Sequence, residues 1–129
     1  MGPTDRPASE VVDDFIAALV RGNVRGALAM VTDDVEYDNV PLEPVYGPDG
    51  IRDVFSRMLP GVEELDWQVH RQVASGDTVF NERTDRFRKG DAWLEIEVAG
   101  VFVVRGGCIA LWRDYFDMDA LRRGLADLG

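Results

Sequence analysis

The chain has 129 residues, which is enough for one domain whose hydrophobic core needs no metal or disulfide. Its 24 acidic and 14 basic side chains give a net charge of −10, which argues against nucleic acid or an anionic membrane surface as the main partner. A neutral or cationic substrate is favoured. The single cysteine, Cys108, excludes an internal disulfide and fits a reducing, cytoplasmic location. No apolar run approaches the ~20 residues of a membrane span.

The first half of the chain is mainly helical in its spacing. Residues 1–8 are predicted to be a disordered lead, and residues 9–129 to form a single domain. Ser9 is predicted to cap a helix that ends near Gly22, and Asn23 a short helix that extends to Val31. Residues 35–40 alternate like a short strand. Pro48 suits the first turn of a third helix.

The second half alternates with a period of two. Strands are predicted from residue 65 to 73, 78 to 88, 93 to 104 and 108 to 116, joined by glycine-containing hairpin turns. In the first of them, one face is expected to carry Leu65, Trp67, Val69, Arg71 and Val73. Asp119 is predicted to cap a closing helix. Separate helices and meandering strands indicate an α+β domain, in which helices pack on a curved antiparallel sheet and enclose a pocket.

Three places carry polar side chains on faces where the pattern expects a core. Arg83 and Asp85 share a face of the second long strand, and Asp114 shares a face of the last strand with aromatic residues. Tyr37 and Asn39 lie on one side of the short early strand. Taken singly, each set also fits a structural role: an exposed ion pair, a carboxylate at a strand end, and a packed aromatic beside a turn former. A curved sheet could bring all three to one pocket.

Two other reactive side chains favour structural interpretations. His70 shares its face with Gln68 and Gln72, which is typical of a surface histidine. Cys108 follows a Gly-Gly turn and is predicted to be a small packing residue rather than a nucleophile.

The three polar sets together resemble the limonene-1,2-epoxide hydrolase family. The resemblance rests on Tyr37-x-Asn39 before a proline-rich loop, Arg83-x-Asp85 on a mid-sheet strand, and Asp114 followed by Tyr115-Phe116-Asp117. It extends over nearly the whole chain and implies the cone-shaped α+β fold of the NTF2-like, SnoaL-like superfamily. It also implies an epoxide hydrolase that uses no metal, no cofactor and no covalent intermediate.

The resemblance implies a role for each of the five residues. Tyr37, Asn39 and Asp114 would hold one water molecule, and Asp114 would be its general base. Asp85 would be the general acid that protonates the epoxide oxygen, and Arg83 would bridge the two carboxylates. Elementary electrostatics agrees, because a cation, a carboxylate and a neutral carboxylic acid sum to zero charge in a buried site. The two carboxyl groups are therefore expected to share one proton near neutral pH.

The rest of the pocket is expected to be apolar and to accept a small, lipophilic, uncharged epoxide. The predicted lining residues come from the third helix and the sheet: Phe55, Met58, Leu59, Trp67, Val69, Phe87, Ile96, Val98 and Phe116.

Two other functions fit the same fold. A ketosteroid-isomerase-like or polyketide-cyclase-like enzyme could use Asp85, Asp114 and Tyr37, but it would need neither a bridging Arg83 nor a water held by Asn39. A non-catalytic binding or dimerisation module would leave these buried charges without a task. A homodimer formed through the outer face of the sheet is expected, with Trp93 and Trp112 as candidates for that interface. The sequence leaves open whether Trp112 lines the interface or the pocket.

Overall fold

A computed structural model describes residues 6–128, so residues 1–5 of the expected lead lie outside the described part. Four helices surround one face of a curved, unclosed sheet, and the predicted α+β class is confirmed. The helices are α1 (Ala8–Val20), α2 (Val24–Leu28), α3 (Gly47–Met58) and α4 (Met118–Leu128). None of the helices in the described part is long and apolar enough to cross a membrane.

Six strands form the sheet in the spatial order β2-β1-β6-β5-β4-β3. The strands are β1 (Val31–Asn39), β2 (Val45–Tyr46), β3 (Glu64–Ser75), β4 (Thr78–Lys89), β5 (Ala92–Arg105) and β6 (Cys108–Tyr115). β1 runs parallel to β6, whereas the other neighbours are antiparallel. This parallel pairing matters for the site, because it places Asn39 of the early strand directly opposite Asp114 of the last one.

The helix ends differ from the predicted ones in three places. α1 begins at Ala8 with Pro7 at the N-cap, so Ser9 lies inside the helix and caps nothing. Val31 belongs to β1 rather than to α2, although Asn23 does cap α2 by accepting a hydrogen bond from the Gly26 amide at 2.9 Å. The α4 cap is Asp117 rather than Asp119, since its side chain accepts hydrogen bonds from the first amides of that helix.

An irregularity in β3 reverses the faces predicted for the end of that strand. Val69 pairs with Arg83 and Arg71 pairs with Glu82, which leaves His70 as the extra residue of a β-bulge. Beyond the bulge, Gln72 lies opposite the inward-facing Asn81. Val73 instead faces outward and is 66% exposed, so the prediction that it shares the inner face was wrong.

The core lies between the inner face of the sheet and the helices. Trp112 is fully buried at its centre, stacked on Tyr37 with ring centroids 4.1 Å apart and in edge contact with Phe15. It therefore lines neither the outer face nor an interface formed there. Trp93 lies on the outer face, under the guanidinium of Arg86.

Candidate active site

Arg83 binds both aspartates predicted for the site. Its Nε and Nη2 donate to Oδ1 and Oδ2 of Asp85, each at 2.9 Å, and Nη2 also donates to Oδ2 of Asp114 at 2.9 Å. The side chains are withdrawn from solvent: Arg83 is fully buried, and each aspartate is 3% exposed. The two carboxyl groups are thus held by one planar cation, whose fork geometry fixes their relative position.

Burial separates the protonation behaviour of this cluster from that of surface residues. Desolvation raises the pKa of Asp85 to about 6, although the neighbouring Arg83 opposes the shift. Burial alone would lower the pKa of Arg83, but Asp114 and Asp85 outweigh it and raise that pKa above its ordinary value. Arg83 therefore remains a cation, while Asp85 can carry a proton close to neutral pH.

Tyr37 and Asn39 lie next to Asp114 on the neighbouring parallel strand. Both are buried, and the register pairs Asn39 with Asp114 and Tyr37 with Trp112. Burial and the charge of Asp114 raise the pKa of Tyr37, so its phenol stays neutral and can donate a hydrogen bond. Oδ1 of Asp114 has no hydrogen-bond partner among the described residues. This buried oxygen is available to accept a hydrogen bond from a small molecule.

A largely apolar pocket opens above the polar cluster, with a volume of about 460 Å³ that includes its open mouth. Tyr37, Asn39, Asp85 and Asp114 supply its polar wall, and Arg83 lies beneath them without lining it. The apolar wall contains nearly all the side chains predicted for it: Phe55, Met58, Leu59, Trp67, Phe87, Ile96, Val98 and Phe116.

Three details of the lining differ from the prediction. Val69 is not part of the pocket: it lies two residues beyond Trp67 on the edge strand β3 and is 39% exposed. Val54 and Leu121 line the pocket as well. Each of these lies on the apolar stripe of an amphipathic helix, and that periodicity was the signal from which they could have been found.

Two residues that the sequence interpretation left without a role contact the polar cluster. Asn81 is 5% exposed and accepts a hydrogen bond from Nη1 of Arg83 at 3.0 Å. Gly100 lies between Asn81 and Asp114 in the sheet. A Cβ at Gly100 would come within 2.4 Å of Nη1 of Arg83 and 2.9 Å of Oδ1 of Asp114. Glycine is thus the residue that lets the guanidinium approach β5 this closely.

The other reactive side chains lie away from the pocket. His70 is exposed, as predicted, and its Nε2 lies 2.7 Å from Oγ1 of Thr84 on the outer face. Cys108 is partly buried at the start of β6. Among residues 6–128, no three His, Cys, Asp or Glu side chains are grouped so that they could hold a metal ion.

Comparison with known proteins places this geometry in context. The family model described as the limonene-1,2-epoxide hydrolase catalytic domain matches residues 7–126. Epoxide hydrolase EphG of Mycobacterium tuberculosis is 35% identical over 114 residues, which cover 88% of this chain and 76% of that protein.

Solved structures are similar over the same length. The structure of a limonene-1,2-epoxide-hydrolase-like epoxide hydrolase from M. tuberculosis has a TM-score of 0.78 at 35% identity, covering 94% of this chain and 93% of its own. An NTF2-like protein from Cytophaga hutchinsonii has a TM-score of 0.74 at 19% identity, covering 90% and 95%. The second likeness shows the fold alone, and it confirms the predicted NTF2-like architecture.

Proposed function

This chain belongs to the limonene-1,2-epoxide hydrolase family and is an epoxide hydrolase; from that premise we propose that it adds water to an epoxide in one concerted, metal-free step. Asp114 is the general base for the water, and Asp85 is the general acid for the epoxide oxygen. The observation that carries the proposal is the single buried guanidinium of Arg83, bound at 2.9 Å to both carboxyl groups.

The charge of the buried cluster supports these two roles. Epoxide opening needs a nucleophile at carbon and a proton for the oxygen that leaves it, so one base and one acid must act together. With Arg83 cationic and Asp114 ionised, a protonated Asp85 makes the cluster neutral. The pKa of Asp85, raised to about 6 mainly by burial, supports its assignment as the group that holds the proton.

The proposed hydrolysis leaves the total number of protons on the two carboxyl groups unchanged. Asp114 takes a proton from water as the water oxygen bonds to an epoxide carbon. The carbon–oxygen bond breaks, and that oxygen takes the proton of Asp85, so the product is a vicinal diol. The cluster is left with Asp114 protonated and Asp85 ionised. One proton must then return from Asp114 to Asp85, and their shared contact with Arg83 keeps the two carboxyl groups close.

Positioning of the water is assigned to three groups around Asp114. Its Oδ1 has no partner among the described residues, and it therefore has a free lone pair for a water proton. Tyr37 and Asn39 line the pocket beside it and offer a phenol and an amide. Holding the water in line with the epoxide lowers the barrier by supplying the orientation in advance.

The substrate proposed is a small, lipophilic, uncharged epoxide. The apolar wall surrounds the acid and the base with aromatic and aliphatic side chains. Among the described residues no cation lines the pocket, since Arg83 lies beneath it. An ionic substrate would lose its hydration in this pocket without gaining a partner.

A single-turnover reaction in oxygen-18 water tests the mechanism. A panel of lipophilic epoxides first identifies a substrate, with the diol measured by mass spectrometry. With enzyme in excess over that substrate, the first diol formed is expected to carry the label, because the attacking oxygen comes from water. An unlabelled first diol would mean that an enzyme carboxylate attacked the epoxide carbon.

The same panel tests the rival activity. An isomerase of ketosteroid type would move a proton in an enone and leave the epoxides unchanged. Turnover of the enone without diol formation would therefore overturn the proposed chemistry, whereas diol formation alone supports it. A non-catalytic module would turn over neither class.

We also propose that the protein forms a homodimer through the outer face of the sheet. Val73, Phe80 and Tyr115 are exposed by 66%, 50% and 47% and border one shallow groove there. Exposed apolar groups clustered on a sheet face are typical of a protein interface. Sedimentation equilibrium of the wild type and Phe80→Glu measures it: the wild type is expected to have the dimer mass, and the variant the monomer mass.

A further inference from the structure

We propose that Asn81 and Gln72 are positioning residues, a chain of two side-chain amides that holds the free edge of the Arg83 guanidinium and so fixes the spacing of the general acid and the general base. The inference rests on the proposed function, because it concerns how the acid and the base are held rather than which groups they are.

The guanidinium of Arg83 is held by hydrogen-bond acceptors on more than one edge. Two of its edges face carboxylates: Nε and Nη2 bind Asp85, and Nη2 also binds Asp114. The remaining nitrogen, Nη1, donates to Oδ1 of Asn81 at 3.0 Å. Without an acceptor on that side, the plane could turn about its carboxylate contacts. Asn81 therefore fixes the orientation of a group whose orientation sets the position of both carboxyl groups.

Hydrogen bonds fix the orientation of the two side-chain amides. Nδ2 of Asn81 donates to Oε1 of Gln72 at 3.1 Å, and Nε2 of Gln72 donates to Oδ1 of Asp13 at 2.9 Å on α1. Since each amide nitrogen has an acceptor, each amide oxygen is turned toward the next donor in the chain. The amide of Asn81 therefore presents its oxygen, and not its NH₂ group, to Arg83.

The β-bulge at His70 allows Gln72 to contact Asn81. In a regular β3 Gln72 would point to the opposite face from Val69, away from the pocket side of the sheet. The bulge at His70 shifts the register by one residue and turns Gln72 toward Asn81 and α1. Neither amide lines the pocket, so neither is placed to contact the substrate. Their contacts run to Arg83 on one side and to α1 on the other.

The groups that face Arg83 determine which measurement can detect the effect of Asn81 and Gln72. Asp85 on the same strand and Asp114 on β6 carry its charge balance, and Tyr37 on β1 is neutral. The guanidinium also lies near two aromatic rings, with its carbon 5.4 Å from the centre of Trp67 and 5.9 Å from that of Phe102. Asn81 is the remaining polar contact. A charge placed there acts through the guanidinium on the ionisation of Asp85.

Asn81→Asp is the main test, because it keeps an acceptor oxygen for Nη1 but adds a negative charge. The added charge competes for Arg83 and makes ionisation of Asp85 less favourable. The high-pH limb of the kcat/KM profile is expected to move upward by about one pH unit or more. A residue that does not act on the guanidinium would lower the melting temperature and leave this limb in place. An unmoved limb in a folded variant overturns the proposal.

A second measurement does not depend on turnover. The carboxyl carbon of Asp85, observed by carbon-13 NMR in the labelled protein, reports its titration directly. It is expected to titrate at higher pH in Asn81→Asp than in the wild type. If the wild type hydrolyses no epoxide, the proposed function fails while this titration still tests the positioning chain. If the wild type makes diol and neither readout moves, the positioning chain alone fails.

Removing the acceptor gives the complementary result. Asn81→Leu leaves Nη1 unpaired, and kcat is expected to fall about 10-fold to 100-fold, since the hydrogen bond involves a charged group. KM is expected to stay the same, because Asn81 does not line the pocket. Full retention of kcat overturns the proposal, as does a rise in KM with kcat unchanged.

Gln72→Leu tests the outer link with less risk to folding, because Gln72 is only partly buried. Asn81 loses the acceptor that fixes its amide, so kcat is expected to fall by a smaller factor than in Asn81→Leu. Gln68→Leu is the matched control, since Gln68 lies on the same strand and is exposed, with its amide on Asp66. Equal kcat values for the Gln72 and Gln68 variants would remove Gln72 from the chain.

Discussion

Arg83 and Arg86 lie on opposite faces of strand β4, and each pairs with two carboxylates and lies near a tryptophan ring. The partners are Asp85, Asp114 and Trp67 for Arg83, and Asp66, Glu95 and Trp93 for Arg86. The difference between them is solvent: the side chain of Arg83 is 0% exposed and that of Arg86 is 26% exposed. Similar pairing thus occurs once in a low-dielectric interior and once at the surface.

The difference in solvent exposure changes the pKa of a carboxyl group on the inner face, whereas on the outer face the ion pairs contribute little to stability. Water screens the Arg86 pairs, and exposed ion pairs contribute about 1 kcal/mol or less to stability. Inside, the Asp85 carboxylate loses its hydration, so burial raises the pKa of Asp85 to about 6 and lets this side chain hold a proton at a higher pH than an exposed aspartate does. Burial, rather than the presence of an arginine between carboxylates, distinguishes the candidate active site.

The largest difference between the two faces is expected in turnover. Asp114→Asn removes the proposed base and is expected to lower kcat by about 10²- to 10⁴-fold, the range for loss of a general acid or base. Asp66→Asn removes a carboxylate from Arg86 and is expected to leave kcat nearly unchanged. Steady-state kinetics on an epoxide from the panel measures both. Comparable losses in the two variants would contradict the assignment of the base to the inner face.

The next difference is expected in folding stability. Arg83→Met leaves two buried carboxyl groups without their cation, and the free energy of unfolding at pH 7 is expected to fall by about 3–5 kcal/mol. Arg86→Met breaks exposed pairs and is expected to cost about 1 kcal/mol or less. Urea denaturation followed by tryptophan fluorescence gives both values.

The pH dependence of the stability loss in Arg83→Met distinguishes unpaired charge from lost packing. At low pH the two carboxyl groups left by Arg83→Met become neutral, so most of the lost stability should return on acidification. A loss that stays the same from pH 7 to pH 4 would show that packing, and not unpaired charge, is the cause.

A smaller effect is expected at Gly100, where the inner face has no room for a side chain. An added Cβ would lie 2.4 Å from Nη1 of Arg83, so Gly100→Ala must displace the guanidinium. The cost is expected to be about 1–3 kcal/mol in stability, as for other overpacked cores. A drop in kcat should accompany it. Ala99→Ser, one residue earlier on the exposed face, is the control and is expected to change neither quantity.

Gly100 also shows where sequence reasoning stops. Alternation along β4 and β6 was enough to predict that Arg83 and Asp85 share one face and that Asp114 shares a face with aromatic residues, because side chains on a strand alternate regularly. That these faces meet in one buried site followed from the family resemblance. A glycine in a strand carries no such signal, since its importance comes from what neighbouring strands place against it. The contact of Gly100 with Arg83 depends on register across three strands, which local pattern does not determine.

The bulge in β3 limits the prediction of side-chain directions in the same way. His70 breaks the alternation of β3, so the inward position of Gln72 and the outward position of Val73 could not be read from a period of two. The parallel pairing of β1 with β6 is likewise a long-range property. It puts Asn39 beside Asp114, a proximity that the sequence interpretation obtained from a family resemblance rather than from the residues themselves.

The most gradual expected effect is a pH dependence of stability that arises from Asp85. Its pKa in the folded protein is about 6, above the value of about 3.9 typical of an unfolded chain. The folded state therefore binds more protons between these two values, and stability must fall as pH rises through that window. The slope is at most about 1.4 kcal/mol for each pH unit, and it vanishes above the folded-state pKa.

Asp85→Asn isolates this contribution, because the amide keeps an oxygen acceptor for Arg83 and does not titrate. The free energy of unfolding of the wild type, minus that of the variant, is expected to decrease from pH 4 to pH 6 and to level off above pH 6. Urea titrations at half-unit intervals measure the difference. An increase with pH over this window would mean that Arg83 lowers the pKa of Asp85 more than burial raises it. Asp85 could then not supply the proton.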